Sequence, residues 1–169
     1  MKAFTHIVVP TDFSATARDA LSMACDMAAG AAARISLIHV IGDEWREPCV
    51  QRELEEHARA QLTALAADEQ FSGVKVQPVL MSGAVHAEIG RYIENHGADL
   101  MVVGSHGHGP VRRFLLGSVA DRLVRSARCP VLVVPHEQLR GTNAATHEPI
   151  AETAAAVNAA DHARVDGKH

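Results

Sequence analysis

The residues of this chain best suited to chemistry form a glycine-rich stretch that runs from Gly104 to Ser118. The stretch follows a short apolar run at 100–103 and precedes a helical pattern that starts at Val119. Because glycine has no Cβ, backbone amides in such a stretch can turn sharply and approach a ligand closely. A helix amino terminus adds unpaired N–H groups and the positive end of the peptide dipoles. The chemistry that this pattern predicts is the binding of phosphate.

Two commoner phosphate-binding motifs do not fit the stretch. A Walker A loop needs Gly-Lys followed by Ser or Thr, and this tripeptide does not occur in the chain. A dinucleotide fingerprint that begins at Gly107 and Gly109 needs a glycine at position 112, where the chain has Arg112. The spacing therefore indicates a phosphate site of another kind.

The elements that must position this stretch alternate between strands and helices. Strands are predicted at 4–9, 34–40, 74–80, 100–103 and 131–134, with helices between them. Ser14 is a suitable N-cap for the first helix, and Gly30 and Gly97 are suitable ends for the first and third helices. Pro78 places the third strand at a sheet edge. The alternation predicts an α/β fold, a doubly wound five-stranded parallel sheet with helices on both faces.

In doubly wound sheets, ligands bind beyond the carboxyl ends of the strands where the strand order reverses. We expect the first and fourth strands to flank that point. The carboxyl end of the first strand carries Pro10-Thr11-Asp12, and that of the fourth carries Gly104 to Gly109. The fold and the motif therefore point to one crevice.

Composition excludes several classes of function. The chain has 169 residues, 47% of them hydrophobic, and a formal net charge of −4, which argues against a nucleic-acid footprint. No apolar run approaches the roughly 20 residues of a membrane span. Three widely spaced cysteines without a C-x-x-C pair favour reduced thiols in the cytoplasm. No pair of histidines has H-E-x-x-H spacing, so no metal site is predicted.

The last part of the chain differs from the rest. Residues 1–135 are predicted to form one domain, whereas residues 136–169 are polar and alanine-rich, with few large aliphatic side chains. Such a segment buries too little apolar surface to offset its ordering entropy, so we expect a disordered tail.

Three segments of residues 2–135 resemble the universal stress protein family. They are Ile-Val-Val-Pro-Thr-Asp12, Leu-Ile-His-Val40, and the segment from Asp99 to Pro135. The last is the most specific, because Gly104, Gly107 and Gly117-Ser118 reproduce the nucleotide-binding spacing of that family.

The resemblance implies an ATP-binding crevice. In it, Pro10, Asp12 and Val40 are expected on the adenosine side. Val103, Gly104 and Gly107 are expected under the ribose and phosphates, and Gly117, Ser118 and Val119 at the phosphates. The full set of ATP-binding residues that we predict is Pro10, Thr11, Asp12, Val40, Val103, Gly104, Gly107, His108, Gly109, Gly117, Ser118 and Val119. The resemblance also implies a homodimer formed through the strand 131–134.

The residue types agree with these roles but leave alternatives open. The Asp12 carboxylate accepts hydrogen bonds and suits ribose hydroxyls, although it also suits a cap on the first helix beside Ser14. The glycines also suit turns in a relative that binds no nucleotide. A helix terminus contributes only about 0.3–1 kcal/mol toward an anion, whereas micromolar affinity needs about 8 kcal/mol. Burial of the base, Mg²⁺, or Arg112 and Arg113 must supply the rest.

Three functions follow, in order of preference. The first is a cytoplasmic, ATP-binding regulatory protein of the stress response, a homodimer with slow or no ATP hydrolysis and no catalytic residue. The second is an enzyme that uses ATP for adenylyl or phosphoryl transfer or hydrolysis, by analogy of fold alone. The third is a dimeric interaction protein that works without nucleotide and recruits a protein partner, not yet identified, through its tail.

Overall fold

The computed structural model of the chain describes residues 4–42, 48–71, 73–105 and 116–135. They form a five-stranded sheet in the order β3-β2-β1-β4-β5, with every neighbouring pair of strands parallel. The strands are β1 (His6–Pro10), β2 (Arg34–Ile41), β3 (Val76–Ser82), β4 (Leu100–Gly104) and β5 (Val131–Val134). The helices are α1 (Ala15–Ala31), α2 (Pro48–Ala66), α3 (Val85–His96) and α4 (Ser118–Ser126). The predicted α/β fold, doubly wound and five-stranded, is confirmed.

Helices cover both faces of the sheet. Side chains of α1 and α2 share one buried cluster with Ile7 and Val9 of β1, whereas α3 and α4 share a second cluster with Val8. Successive residues of a strand point to opposite faces. An unbroken apolar run therefore serves both clusters, which is why β1 and β4 show no alternation of polar and apolar residues.

Two of the three predicted helix ends are confirmed. The Ser14 hydroxyl accepts from Ala17 N at 3.2 Å and caps α1, and Gly97 ends α3 in the left-handed conformation at φ 62°. The prediction that Gly30 ends α1 is wrong. The helix continues to Ala31, and Ala32 adopts the left-handed conformation at φ 52°. Ala33, the next residue, is buried in the core. We infer that its packing sets the position of the turn, although a positive φ costs an alanine free energy.

The third strand lies at the sheet edge, as Pro78 indicated. It begins two residues later than predicted, because a short 3₁₀ turn at Glu69–Phe71 precedes it and Val74 N donates to Phe71 O at 3.2 Å. Phe71 is buried in the cluster beneath α1 and α2. Within the described ranges, no helix is both long and apolar enough to cross a membrane.

Candidate functional site

The strand order reverses between β1 and β4. From β1 the chain adds β2 and β3 on one side of the sheet and β4 and β5 on the other. The ladder between β1 and β4 ends at the pair Val8–Met101, and both strands continue for two or three residues past it. This is the position that the sequence predicted for a ligand.

Past that pair, the two strand ends follow different neighbours. Thr11 N donates to Ile38 O of β2 at 2.8 Å, which ties the end of β1 to β2. Ser105 N donates to Val134 O of β5 at 2.8 Å, which ties the end of β4 to β5. Because the two ends are held to opposite halves of the sheet, they diverge at the place where the sequence predicts the crevice.

A tight turn carries the chain from β1 into α1. Thr11 is buried, and its hydroxyl accepts from Phe13 N at 3.0 Å. Asp12 is exposed, and its Oδ1 accepts from Ser14 N at 3.0 Å. Asp12 therefore supports the start of α1, which is the alternative role that the sequence left open for this residue. Its exposed carboxylate also lies at the carboxyl end of β1.

His39 of β2 holds this turn from the side. Its Nδ1 lies 2.8 Å from Thr11 O, and its ring centroid lies 4.5 Å from that of Phe13. A carbonyl oxygen only accepts, so Nδ1 must carry the ring hydrogen. The contact fixes the backbone next to Asp12, which makes His39 a positioning residue of the crevice.

Two apolar residues of the predicted site belong to the core. Val40 is 9% exposed and lies one residue before the end of β2. Val103 is 6% exposed and lies one residue before the end of β4. Both belong to the cluster beneath α3 and α4, so they form the apolar floor near the carboxyl edge of the sheet.

Gly104 lies where β4 packs against the first turn of α1. A Cβ at this position would lie 2.8 Å from Thr16 O, 2.9 Å from Thr16 C and 2.9 Å from Thr16 Cγ2. Real Cβ atoms do not come this close to backbone atoms. The packing of α1 on β4 therefore requires glycine at this position.

One backbone hydrogen bond joins the two ends of the glycine-rich stretch. Gly117 N donates to Ser105 O at 2.7 Å, so the residue before α4 lies directly against the residue after β4. Gly117 offers no side chain to cap the helix. Ser118 and Val119 in the first turn are exposed, Val119 to 50%. The amino terminus of α4 thus begins at the end of β4, and its first turn is exposed at Ser118 and Val119.

The remaining predicted site residues lie outside the described part of the chain. Gly107, His108 and Gly109 belong to this group, and so do Arg112 and Arg113. The described residues of the predicted site lie at the ends of the neighbouring strands β1 and β4 and at the start of α4, which contacts the end of β4. Val40 lies one strand away on β2.

Comparison with known proteins gives a consistent result. The model of the family described as "Universal stress protein family" matches residues 3–135. The universal stress protein MJ0577 of Methanocaldococcus jannaschii is 29% identical over 153 residues, which cover 78% of this chain and 94% of the relative. The universal stress protein MJ0531 of the same organism is 32% identical over 139 residues, which cover 78% and 82%.

Solved structures show the same similarity. The structure of MJ0577 has a TM-score of 0.72 at 31% identity and covers 79% of this chain and 97% of its own. A universal stress protein in complex with cAMP has a TM-score of 0.62 at 23% identity and covers 80% and 99%. The universal stress protein from Archaeoglobus fulgidus in complex with dAMP has a TM-score of 0.58 at 20% identity and covers 79% and 99%. The last two share the fold.

Proposed function

Because this chain belongs to the universal stress protein family, we propose that it is a nucleotide-binding member with ATP as its ligand and a regulatory role in the stress response. The observation that carries the proposal is the hydrogen bond of 2.7 Å from Gly117 N to Ser105 O. This bond sets the start of α4 directly after the end of β4, the strand that neighbours β1 where the strand order reverses.

The phosphates fit the start of α4. The first turn of a helix offers N–H groups that have no partner within the helix, and the dipole favours a negative charge there. Gly117 keeps this approach free of side-chain bulk, and Ser118 adds an exposed hydroxyl. Anions bind at helix amino termini of this kind.

The nucleoside fits the opposite wall of the crevice. The exposed Asp12 carboxylate suits ribose hydroxyls and would repel phosphate, which gives the nucleotide one orientation. The half-buried Pro10 offers apolar surface to the base, and Val40 belongs to the buried apolar floor of the sheet. That two proteins of the same fold form complexes with cAMP and dAMP supports an adenine nucleotide as the ligand class.

Most of the binding affinity must come from the wall that holds the nucleoside. A helix terminus contributes about 0.3–1 kcal/mol toward an anion, and a micromolar complex needs about 8 kcal/mol. The net charge of −4 opposes an ATP tetraanion. Mg²⁺ bound with ATP would lower that repulsion, and burial of adenine would supply most of the remaining free energy.

Calorimetry with the full chain and Mg-ATP tests the proposal. We expect binding by the wild type and loss of binding in the double variant Gly117→Val, Ser118→Ala, which obstructs the start of α4. The matched control is Ser126→Ala at the other end of α4, whose hydroxyl bonds to Arg122 O and lies outside the crevice. Equal affinity of wild type and double variant, or no heat with the wild type at millimolar Mg-ATP, overturns the proposal.

A regulatory role predicts slow hydrolysis or none. Enzymes turn over about 10 times per second in the median case. A rate of that order with purified protein and Mg-ATP would instead favour an ATP-using hydrolase or transferase. Titration of AMP, cAMP and dAMP against the same samples then shows how far the triphosphate contributes.

We also propose a homodimer that forms through β5. This strand is at the sheet edge, and the bonds on its inner side include Met101 N to Pro130 O and Ser105 N to Val134 O. Because bonding directions alternate along a strand, the backbone groups of Val131 and Val133 point away from β4. In the part of the chain that the structure describes, no further strand follows β5 in the sheet. An apolar edge of this kind pairs readily with a second strand.

Sedimentation of the full chain measures this assembly. Val133→Pro removes one N–H that points away from β4, so the fold should remain while the dimer weakens at least tenfold. Val133→Thr is the control, because it keeps the N–H and the β-branched shape. A Val133→Pro protein that sediments like the wild type would show that β5 does not form the interface. The alternative function, a cytoplasmic interaction protein that recruits a partner through its tail, would then need another surface for its dimer.

A further inference from the structure

The turn from β1 into α1 holds one residue in a costly conformation. Phe13 has a φ of 66°, in the left-handed region that favours glycine. Among the described residues other than glycine, Ala32 also has a positive φ, but it ends α1, where a left-handed residue is common. Phe13 instead precedes a helix. Strained backbone of this kind persists only where neighbouring contacts hold it, and it clusters at functional sites.

Hydrogen bonds within the turn are not sufficient to hold this conformation. Phe13 N donates to Thr11 Oγ1 at 3.0 Å, and Ser14 N donates to Asp12 Oδ1 at 3.0 Å. Side-chain oxygens of Thr and Asp accept from the backbone two residues on and so imitate backbone turns. Turns of that size occur with either sign of φ. The sign of φ at Phe13 must therefore be set by contacts from outside the turn.

His39 of β2 supplies two such contacts. Its Nδ1 donates to Thr11 O at 2.8 Å. Its ring centroid lies 4.5 Å from that of Phe13, with an angle of 35° between the ring planes, which is within the range of favourable aromatic pairs. His39 thus holds the backbone on one side of Asp12 and the side chain that follows Asp12 on the other.

The position of His39 on its strand departs from the pattern around it. Ile35 and Leu37 lie on the same face of β2 and are fully buried in the cluster with α1 and α2. An apolar residue at position 39 would continue this pattern. The half-buried histidine instead places a donor at the carbonyl of Thr11, whose N–H already bonds to Ile38 O of the same strand. Strand β2 therefore holds both backbone groups of Thr11.

Asp12 lies between the two residues that His39 contacts. Its exposed carboxylate stands at the carboxyl end of β1, on the wall that suits the nucleoside. The φ of Phe13 sets the orientation of the peptide plane that joins Asp12 to Phe13. Relaxation of Phe13 to a negative φ would rotate that plane and turn this part of the wall away from its present shape.

We propose that His39 is a positioning residue, which holds Phe13 in the left-handed conformation and so keeps the turn after β1 in its nucleotide-binding shape before the ligand arrives. The inference rests on the proposed function and requires no contact between His39 and the nucleotide. When only a fraction of the protein has the binding shape, the apparent affinity falls by that fraction. Loss of His39 should therefore slow association and leave the dissociation rate unchanged.

Surface plasmon resonance with the immobilised full chain and Mg-ATP measures both rates. We expect His39→Leu to weaken binding about tenfold, which corresponds to about 1.4 kcal/mol, and the loss should lie in the association rate. His39→Asn keeps an N–H donor and should lose less than His39→Leu. The matched control is His57→Leu, the same change at an exposed position of α2, which should bind like the wild type.

Substitutions of Phe13 test the strain itself. Phe13→Gly and Phe13→Ala both remove the ring, but only glycine adopts a positive φ freely. Added to His39→Leu, Phe13→Gly should restore much of the association rate, whereas Phe13→Ala should not. The two double variants differ by a single methyl group, so a difference between them reports the backbone conformation and not the lost ring contact.

NMR of the protein without nucleotide tests the clamp directly. A strong Overhauser effect between the amide hydrogen and the α hydrogen of the same residue marks a positive φ. We expect this signal at Phe13 in the wild type and a weaker one in His39→Leu. An equally strong signal in folded His39→Leu overturns the inference.

The binding outcomes separate this inference from the proposed function. If the wild type does not bind Mg-ATP, the proposed function fails and the inference fails with it. If the wild type binds, three results overturn the inference alone: His39→Leu with unchanged rates, a loss that lies in faster dissociation, or equal binding by the two double variants. If His39→Leu does not fold, the single variants decide, because Phe13→Gly should then associate faster than Phe13→Ala.

Discussion

Replacing Gly104 by alanine should destabilise the fold through a single steric conflict. The added Cβ would lie 2.8 Å from Thr16 O and 2.9 Å from two further atoms of Thr16. Two of those three atoms are backbone, so α1 or β4 must move. Overpacking of this kind costs about 1–3 kcal/mol, and contacts this short favour the upper half of that range.

Part of that cost is offset. Alanine restricts the unfolded chain more than glycine does, which is worth about 0.4–1 kcal/mol where the native backbone suits alanine. Gly104 meets this condition, because positive φ values among the described glycines occur at Gly83 and Gly97. The net loss is therefore about 1–2.6 kcal/mol, or about 2–10 °C in the thermal midpoint of a domain of this size.

Urea and thermal denaturation of the full chain measure the effect, and Gly90→Ala is the matched control. Gly90 lies inside α3, and a Cβ there meets no atom within 4 Å. Alanine in a helix interior should raise stability by about 0.5–1 kcal/mol. The two variants should thus move in opposite directions. A Gly104→Ala protein as stable as the wild type would refute the packing of α1 against β4.

Two further predictions concern titratable groups. Burial lowers the pKa of His6 below its ordinary 6.5, so the unfolded chain binds a proton more readily than the folded chain. The free energy of unfolding should therefore fall as pH drops below about 6.5 and level off below the folded pKa. An NMR titration midpoint for His6 at or above 6.5 would contradict this prediction. Burial, with Asp26 nearby, raises the pKa of the Cys25 thiol to about 11. Iodoacetamide at pH 8 should therefore modify the exposed Cys49 before the buried Cys25. Mass spectrometry that finds Cys25 modified as fast as Cys49 would contradict this prediction.

The sequence was sufficient for the architecture because its signals are local. Apolar runs, Pro78 and the alternation of strands and helices predicted the sheet, its edge and both covered faces. The sequence also predicted that the first and fourth strands flank the point where the strand order reverses, and the sheet order confirms it. Where a cap is built from adjacent residues, as at Ser14, the prediction held.

Features decided by distant contacts could not be predicted. Gly30 has the right type to end α1, but burial of Ala33 moves the left-handed residue to position 32. The need for glycine at position 104 depends on Thr16, which is far away in the sequence. The hydrogen-bonding contacts of Ser36 with His6 and with Tyr92 join two strands and a helix, and no spacing in the sequence indicates them.

The hydrogen bond between Gly117 and Ser105 has a consequence for how this family can diversify. It ties Gly117 to Ser105, and Ser105 N in turn bonds to Val134 O of β5, so an exchange of the residues between positions 105 and 117 should leave these bonds in place. Each doubling of a flexible loop costs only about 0.6 kcal/mol in closure entropy. Evolution or an engineer can therefore exchange this segment as a cassette and retune ligand preference while the scaffold stays the same.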